Sequence, residues 1–343
     1  MYFLVGDIGG TNCRLALYEN ENQIAQMHYQ SHFDSNLTHD IKDFLESIQQ
    51  SQTPKQTQIK IDQCCLAVAG PIENQSAHLT NLGWTLDAKS LSRDLGFDVH
   101  LINDFYAQAL AVSILKPHQR LHLAGPQDLN HTQPWAILGM GTGLGEALLI
   151  PTNLNDDQAD DPHQADVASD WIVVPTEGGH CRFAPKDQLS FEFLCHLQAR
   201  FGQHISIERL LSGQGIVDLY AFLSKGIQKP AHEITHLALT KSDQTAQKCM
   251  DIIISYYGDE AANLSLKSKS KAVFLSGGIS PKILPLLMPL FEESFLDKGR
   301  YRSLLTQTSI YLVTEENPGS LGAWQQARLV YSKKSSSSLK KLS

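Results

Sequence analysis

The sequence lacks any long hydrophobic run: no apolar stretch approaches the ~20 residues needed to span a bilayer. Its start shows no basic segment with a signal-peptide cleavage site, so no secretory leader is expected. Positive charge is in short supply, with 28 Lys and Arg against 36 Asp and Glu and a formal net charge of −8. Without a basic footprint, nucleic acid and anionic membrane are poor candidate partners. Cysteine is sparse and unpatterned. Cys13, Cys64, Cys65, Cys181, Cys195 and Cys249 contain no C-x-x-C pair, which argues against a disulfide framework or zinc ribbon and fits reduced thiols in a cytoplasmic protein. Charged residues are only 19%, below the roughly 25% usual for soluble proteins, which argues against disorder. At 343 residues and 42% hydrophobic content, the chain has the length for two domains and the means to give each a core.

What is present is alternation. Tyr2 to Tyr18 reads as two β-favouring runs around Gly6-Asp7-Ile8-Gly9-Gly10-Thr11-Asn12, a hairpin with a turn rich in Gly, Asp and Asn. Ile41, Phe44, Leu45 and Ile48 have helical spacing. A short strand, Leu66 to Ala69, ends at Gly70-Pro71, and Asp87 caps a short helix that stops at Gly96. Val99 to Ile102 form a strand ending at Asn103-Asp104, followed by a helix from about Tyr106 to Leu115. Near residue 135 the pattern begins again: Trp135 to Ile150 is an apolar run, a Gly141-Thr142-Gly143-Leu144-Gly145 turn, and another apolar run. Strands alternating with helices predict an α/β protein with function at strand ends, and the repeat suggests a duplicated module. A last strand, Ala272 to Leu275, runs into Ser276-Gly277-Gly278. Residues 151–170 hold six aspartates and little apolar content, which reads as an exposed loop, and the Ser/Lys tail from Ser332 reads as disordered.

Glycine-rich turns let backbone N–H groups approach phosphate oxygens that side chains would keep away. Gly9, Gly10, Thr11 and Asn12 offer such donors, and Asp7 suits Mg²⁺, directly or through water. One such turn is equally explained as an ordinary tight hairpin. Two in corresponding positions point to a phosphate chain gripped from both sides. Neither turn is a Walker A motif or a G-x-G-x-x-G fingerprint.

Asn103-Asp104 sits where a strand meets a helix, a common catalytic position, though an acid there also caps helices. Glu177-Gly178-Gly179-His180 leaves an acid and an imidazole free to reach one small polar ligand. Glu208-Arg209 precedes Leu210-Leu211-Ser212-Gly213 and is equally explained as surface helix. His232-Glu233-Ile234-Thr235-His236 matches H-E-x-x-H, but no third ligand with motif spacing follows and Pro230 makes it read as a helix start. It is expected not to hold zinc.

Together these residues resemble the bacterial glucokinases of the non-ROK type, within the actin/hexokinase/Hsp70 ATPase superfamily. The likeness runs from Leu4 to about Arg328 through Leu4–Asn12, Ala69-Gly-Pro-Ile72, Leu79-Thr-Asn81, Ile102–Phe105, Gly141–Gly145, Glu177–His180, Glu208–Gly213, Ser276–Gly278 and Asn317-Pro-Gly319. It implies two duplicated ribonuclease-H-like α/β domains flanking an interdomain cleft. The small domain is expected at 1–114 plus 314–331, the large one at 115–313, and the tail at 332–343. The resemblance implies ATP-dependent phosphorylation of glucose with Asp104 as general base. Asn103, Asp104, Glu177, His180 and Glu208 are implied on the sugar hydroxyls. Gly6, Asp7, Ile8, Gly9, Gly10, Thr11, Asn12, Gly141, Thr142, Gly143, Gly145, Gly277 and Gly278 are implied on MgATP, with Asp7 as the metal residue. A homodimer is the expected assembly. The rivals are a sugar-sensing regulator, which would need a DNA-binding module for which the hairpin at residue 6 leaves no N-terminal room, and another ATPase of the superfamily. The cysteine-rich zinc motif that ROK relatives carry after E-G-x-x-H is missing, and Arg182 stands where a small or acidic residue is expected.

Overall fold

Phe3, Leu4, Val5 and Ile8 on the first strand are all buried, so this strand is covered on both faces rather than one. In the computed structural model, which describes residues 1–9, 12–30, 36–51, 59–79, 83–152 and 171–340, that strand is the centre of the first of two compact units. The first unit comprises Met1–Ile114 and the chain from Glu316 onward; the second comprises the described residues of 115–315.

In the first unit a five-stranded sheet runs in spatial order Asn22–Gln30, Asn12–Glu19, Tyr2–Ile8, Gln63–Val68, Val99–Asn103. The first three strands are antiparallel and the last two join Tyr2–Ile8 in parallel. Helix Leu37–Ser51 buries Ile41, Phe44 and Ile48 against Leu4, Leu15, Leu17 and Leu66 on one face. On the other face Phe3, Val5, Ala16 and Cys65 pack with Ala107 of helix Asp104–Val112 and with Ala323, Trp324 and Ala327 of helix Pro318–Lys340. These two helices meet closely, for a Cβ at Gly322 would lie 1.7 Å from the Ala107 carbonyl oxygen. Helix Ala88–Leu95 is capped as the sequence indicated: Asp87 accepts from the Ser90 N–H, and Gly96 closes the helix in the left-handed region at φ 80°.

In the second unit a six-stranded sheet runs Trp171–Thr176, Leu144–Pro151, Trp135–Met140, Ala272–Ser276, Ser309–Val313, Arg120–Ala124. Its first three strands are antiparallel and the next two are parallel to Trp135–Met140, the same sequence of polarities as in the first unit. The 25-residue helix Gln244–Ser268 supplies much of this core through Cys249, Ile253, Ile254 and Tyr257.

Two expectations change. The helix after Asn103 spans Asp104–Val112 instead of starting near Tyr106, because Asn103 rather than the acid is its cap. The Ser/Lys-rich stretch from Ser332 continues the terminal helix as far as Lys340. A helix already docked through Trp324 and Ala327 propagates cheaply, and Lys334 Nζ donates to Gln63 Oε1 at 2.8 Å and Asp98 Oδ2 at 2.6 Å. The acidic stretch 153–170 lies outside the described residues. Among the described residues no helix is long and apolar enough to cross a membrane.

Candidate active site

The strand ends of the first unit carry its candidate acidic groups, Asp7 and Asp104. Asp7 lies opposite Arg14 in the register of the first hairpin, and the guanidinium stands 3.6 Å from its carboxylate. Burial raises the Asp7 pKa, with the Arg14 charge opposing. Gly319, in the first turn of helix Pro318–Lys340, leaves space at this carboxylate; a Cβ there would lie 2.9 Å from Asp7 Oδ2. The turn beyond Asp7 is closed by the Gly9 N–H donating to the Asn12 carbonyl at 2.8 Å. Gly10 and Thr11, both expected at phosphate, lie outside the described residues. Gly6 is a mid-strand residue whose missing side chain makes room for Leu66, and the Ile8 side chain is fully buried.

Asn103 ends its strand with three of its hydrogen bonds already made. Oδ1 accepts from the Phe105 and Tyr106 N–H groups, and Nδ2 donates to the Gly70 carbonyl at 2.9 Å. One N–H remains for a ligand. Asp104, beside it, is half-buried, and its Oδ1 accepts from the Phe105 N–H at 2.9 Å. Burial pushes its pKa up to about 6, against the pull of the Phe105 hydrogen bond and with a further push from the negative Asp7.

In the second unit the structure brings Glu177, His180 and Glu208 together. His180 Nε2 lies 3.7 Å from Glu177 Oε2, and its Nδ1 lies 3.9 Å from Glu208 Oε1. Glu177 stands 86% exposed, ready for a ligand, whereas Glu208 is anchored: its Oε2 accepts from the Leu144 N–H at 2.9 Å. That bond ties Glu208 to the second glycine turn and explains Gly143, where a Cβ would lie 2.3 Å from Glu208 Oε2. The turn is further held by the Gly141 N–H on the Gly143 carbonyl at 2.8 Å and by the Gly213 N–H on the Gly141 carbonyl at 2.9 Å. Gly277, at φ 80°, lies directly on the end of the neighbouring strand Trp135–Met140, where a Cβ would come within 2.3 Å of the Met140 carbonyl oxygen. Thus the Gly141–Gly143 turn is tied to the start of helix Gly213–Leu223 and lies beside Gly277; the Gly141 and Gly213 N–H groups are spent on this scaffold, which leaves those of Thr142 and Gly143 as the turn's candidate anion donors. Gly145 is set back in the strand, paired with Gly139.

His232 and His236 lie on helix Ala231–Leu239 and line a cavity of about 490 Å³ with Gly141, Thr142, Ile279 and Lys282. Among the described residues no group of three or more His, Cys, Asp or Glu side chains is placed to hold a metal ion. Arg182, out of pattern in the sequence, donates to the Gln203 carbonyl at 3.2 Å. Sequence reasoning gave no role to Arg14 or to Glu146. Arg14 is two positions beyond the turn and so the natural pairing partner of Asp7, a signal that register counting finds; Glu146 is an acid alone in an apolar strand.

A family model described as Glucokinase matches residues 4–329. The chain is 34% identical to a glucokinase of Nostoc punctiforme over 351 aligned residues, covering 93% of this chain and 97% of the relative. Its fold is similar to the crystal structure of a glucokinase from an Antarctic psychrotroph, with TM-score 0.78, 29% identity, and 95% and 98% of the two chains covered. It is also similar to a glucokinase of Balamuthia mandrillaris in complex with glucose, with TM-score 0.74, 22% identity, and 95% and 93% covered.

Proposed function

The chain belongs to the glucokinase family, an ATP-dependent transferase family acting on glucose, and on that footing we propose that Asp104 is the general base for transfer to the sugar hydroxyl. The observation that carries this reading is a half-buried carboxylate at a strand end with its pKa raised to about 6, where it is ionised at neutral pH yet basic enough to take a proton. The Phe105 N–H fixes one oxygen and leaves the other for the hydroxyl. Asn103 offers its remaining N–H to the same sugar.

Glu177, His180 and Glu208 recognise the other hydroxyls. Carboxylates accept from sugar O–H groups and an imidazole can do either, so the trio reads a pattern of hydroxyls rather than a charge. Phosphate oxygens are taken by the backbone donors of the two glycine turns, and the cavity lined by His232, His236 and Lys282 receives the nucleoside end of ATP. Asp7 fits Mg²⁺ as a single half-buried carboxylate beside a glycine turn, since this ion keeps several waters and takes the rest of its ligands from phosphates. When bound, the ion neutralises charge on the phosphates. Asp7 would hold it at the first turn, with the Arg14 guanidinium orienting the carboxylate. The shared strand order of the two sheets supports two copies of a ribonuclease-H-like domain, one bearing the base and the other the hydroxyl trio.

A coupled assay for ADP release, run with and without glucose, tests the reading. Release that depends on glucose and yields glucose 6-phosphate is expected. Equal release without sugar would mark an ATPase, and sugar binding without turnover a sensor.

A further inference from the structure

Strand Leu144–Pro151 is apolar except at Glu146, and Glu146 does not turn outward: it is 3% exposed. Its Oε1 has no hydrogen-bond partner. Its Oε2 lies directly beneath the Glu177–His180 turn, where a Cβ at Gly178 would come within 1.8 Å of it. The glycines of this turn are therefore glycines because the strand lies against them: at Gly179 a Cβ would meet the Leu144 carbonyl oxygen at 2.2 Å. The same turn is pinned to the strand a second time, for the Gly178 N–H donates to Thr176 Oγ1, which donates to the Glu146 carbonyl at 3.1 Å.

We infer that Glu146 is a positioning residue for the Glu177–His180 turn, and that it holds the turn in place while its own carboxyl is protonated. This rests on the reading of that turn as the sugar site. The charged and titratable groups facing Glu146 among the described residues are Glu260, Lys267 and Tyr257, all on helix Gln244–Ser268; Glu177 and His180 ride on the turn above. Glu260 is itself buried, accepts from Asn263 at 3.0 Å and has Lys267 at 3.8 Å. One cation thus faces two buried carboxyls. A second negative charge there has no counter-ion of its own and is 3% exposed to solvent, and a buried charge so placed is strongly disfavoured. Burial first and the Glu260 charge second push the Glu146 pKa up to about 7, with Lys267 opposing. When the proton leaves, the carboxylate demands water, and Gly178 is what covers Oε2. Hydration lifts the turn and with it Glu177 and His180, while the phosphate turn, held by Glu208 and Gly213, keeps its bonds.

The test is the pH dependence of the two Michaelis constants, measured from about pH 6 to about pH 8.5 to bracket the titration. For the native enzyme the glucose KM should rise roughly five- to tenfold across pH 7, the size expected for a weakened polar contact, with the ATP KM flat. Glu146→Gln, a permanently neutral isostere, should remove that step while keeping the low-pH glucose KM. Glu260→Gln takes away a like charge and frees Lys267, so the step should move to lower pH. A folded Glu146→Gln protein with the native KM–pH curve, or a Glu260→Gln step that stays in place, overturns the inference. Glu177→Ala tests the underlying site separately: an unchanged glucose KM there would sink the sugar-site reading itself, whatever Glu146 does.

Discussion

The two glycine hairpins are built on one plan and furnished differently. In each, the second pair of residues back from the turn is diagnostic: Asp7 faces Arg14 in the first, and Gly139 faces Gly145 in the second. The first hairpin carries an acid and a base on the strands themselves, with the acid half-buried and its pKa raised. The second is bare at the equivalent pair and borrows its acid from elsewhere, through Glu208 on the Leu144 N–H. A bare pair lets a ligand approach backbone closely, whereas a charged pair can hold a metal ion. The same contrast separates Asp104, half-buried and fixed by a backbone N–H, from Glu177 and His180, which stand largely in solvent. On the proposed reading, the base is preformed on the first unit, whereas Glu177 and His180 of the recognition trio on the second are exposed and adjustable.

The harshest way to break this contrast is to neutralise the base. Asp104→Asn should lower kcat by ~10²–10⁴, the usual cost of losing a positioned proton acceptor, with ATP binding kept. In the native enzyme kcat should fall as pH drops through about 6, because protonated Asp104 cannot accept the hydroxyl proton. The stability sign is opposite. A carboxyl whose folded pKa is raised destabilises the fold as pH climbs from its ordinary value through about 6, so Asp104→Asn should melt above the native protein at pH 8. Single-turnover phosphorylation at saturating substrates is the measurement, and turnover within about threefold of native would place the base elsewhere.

A smaller effect is expected at the charged hairpin. Asp7→Asn keeps the volume and removes the negative charge, so the Mg²⁺ concentration for half-maximal rate should rise about 10–100-fold, as for loss of a group supporting a metal. Glucose affinity measured without nucleotide should not move. An unchanged Mg²⁺ dependence would erase the distinction between the hairpins and leave Arg14–Asp7 as a strand-pairing ion pair.

How much of this could be read beforehand follows from what kind of signal each residue leaves. The hairpins, the Asp87–Gly96 helix and the strand ending at Asn103 were legible because local turn and cap chemistry dictates them. The strand Asn22–Gln30 was not, since nearly all of it is exposed and it shows no apolar alternation. Gly178 and Gly179 were read as freeing their neighbours; their tertiary reason, the strand beneath, has no trace in the order of residues. Glu146 left a faint mark, an acid in an otherwise apolar strand, which is the pattern of either an outward face or a buried charge with a task.

The mildest expected effect concerns Asn103, which caps the helix in place of the acid that the sequence suggested. The resemblance placed Asn103 on the sugar, but three of its hydrogen bonds serve the scaffold. Asn103→Ala loses the cap and the bond to Gly70 and should cost about 1–2 kcal/mol of stability in denaturant unfolding. Asn103→Asp keeps the cap, since an Asp oxygen accepts from the same N–H groups, but turns its other oxygen, an acceptor, toward the Gly70 carbonyl and so replaces that bond by a repulsion. It also sets a second carboxylate beside Asp104. The added negative charge disfavours ionisation of the base, so the acid limb of kcat should move to higher pH than in the native enzyme. If the Asn103→Asp acid limb stays at the native position, Asp104 is not the group that titrates, and the preformed chemistry assigned to the first unit belongs to another residue.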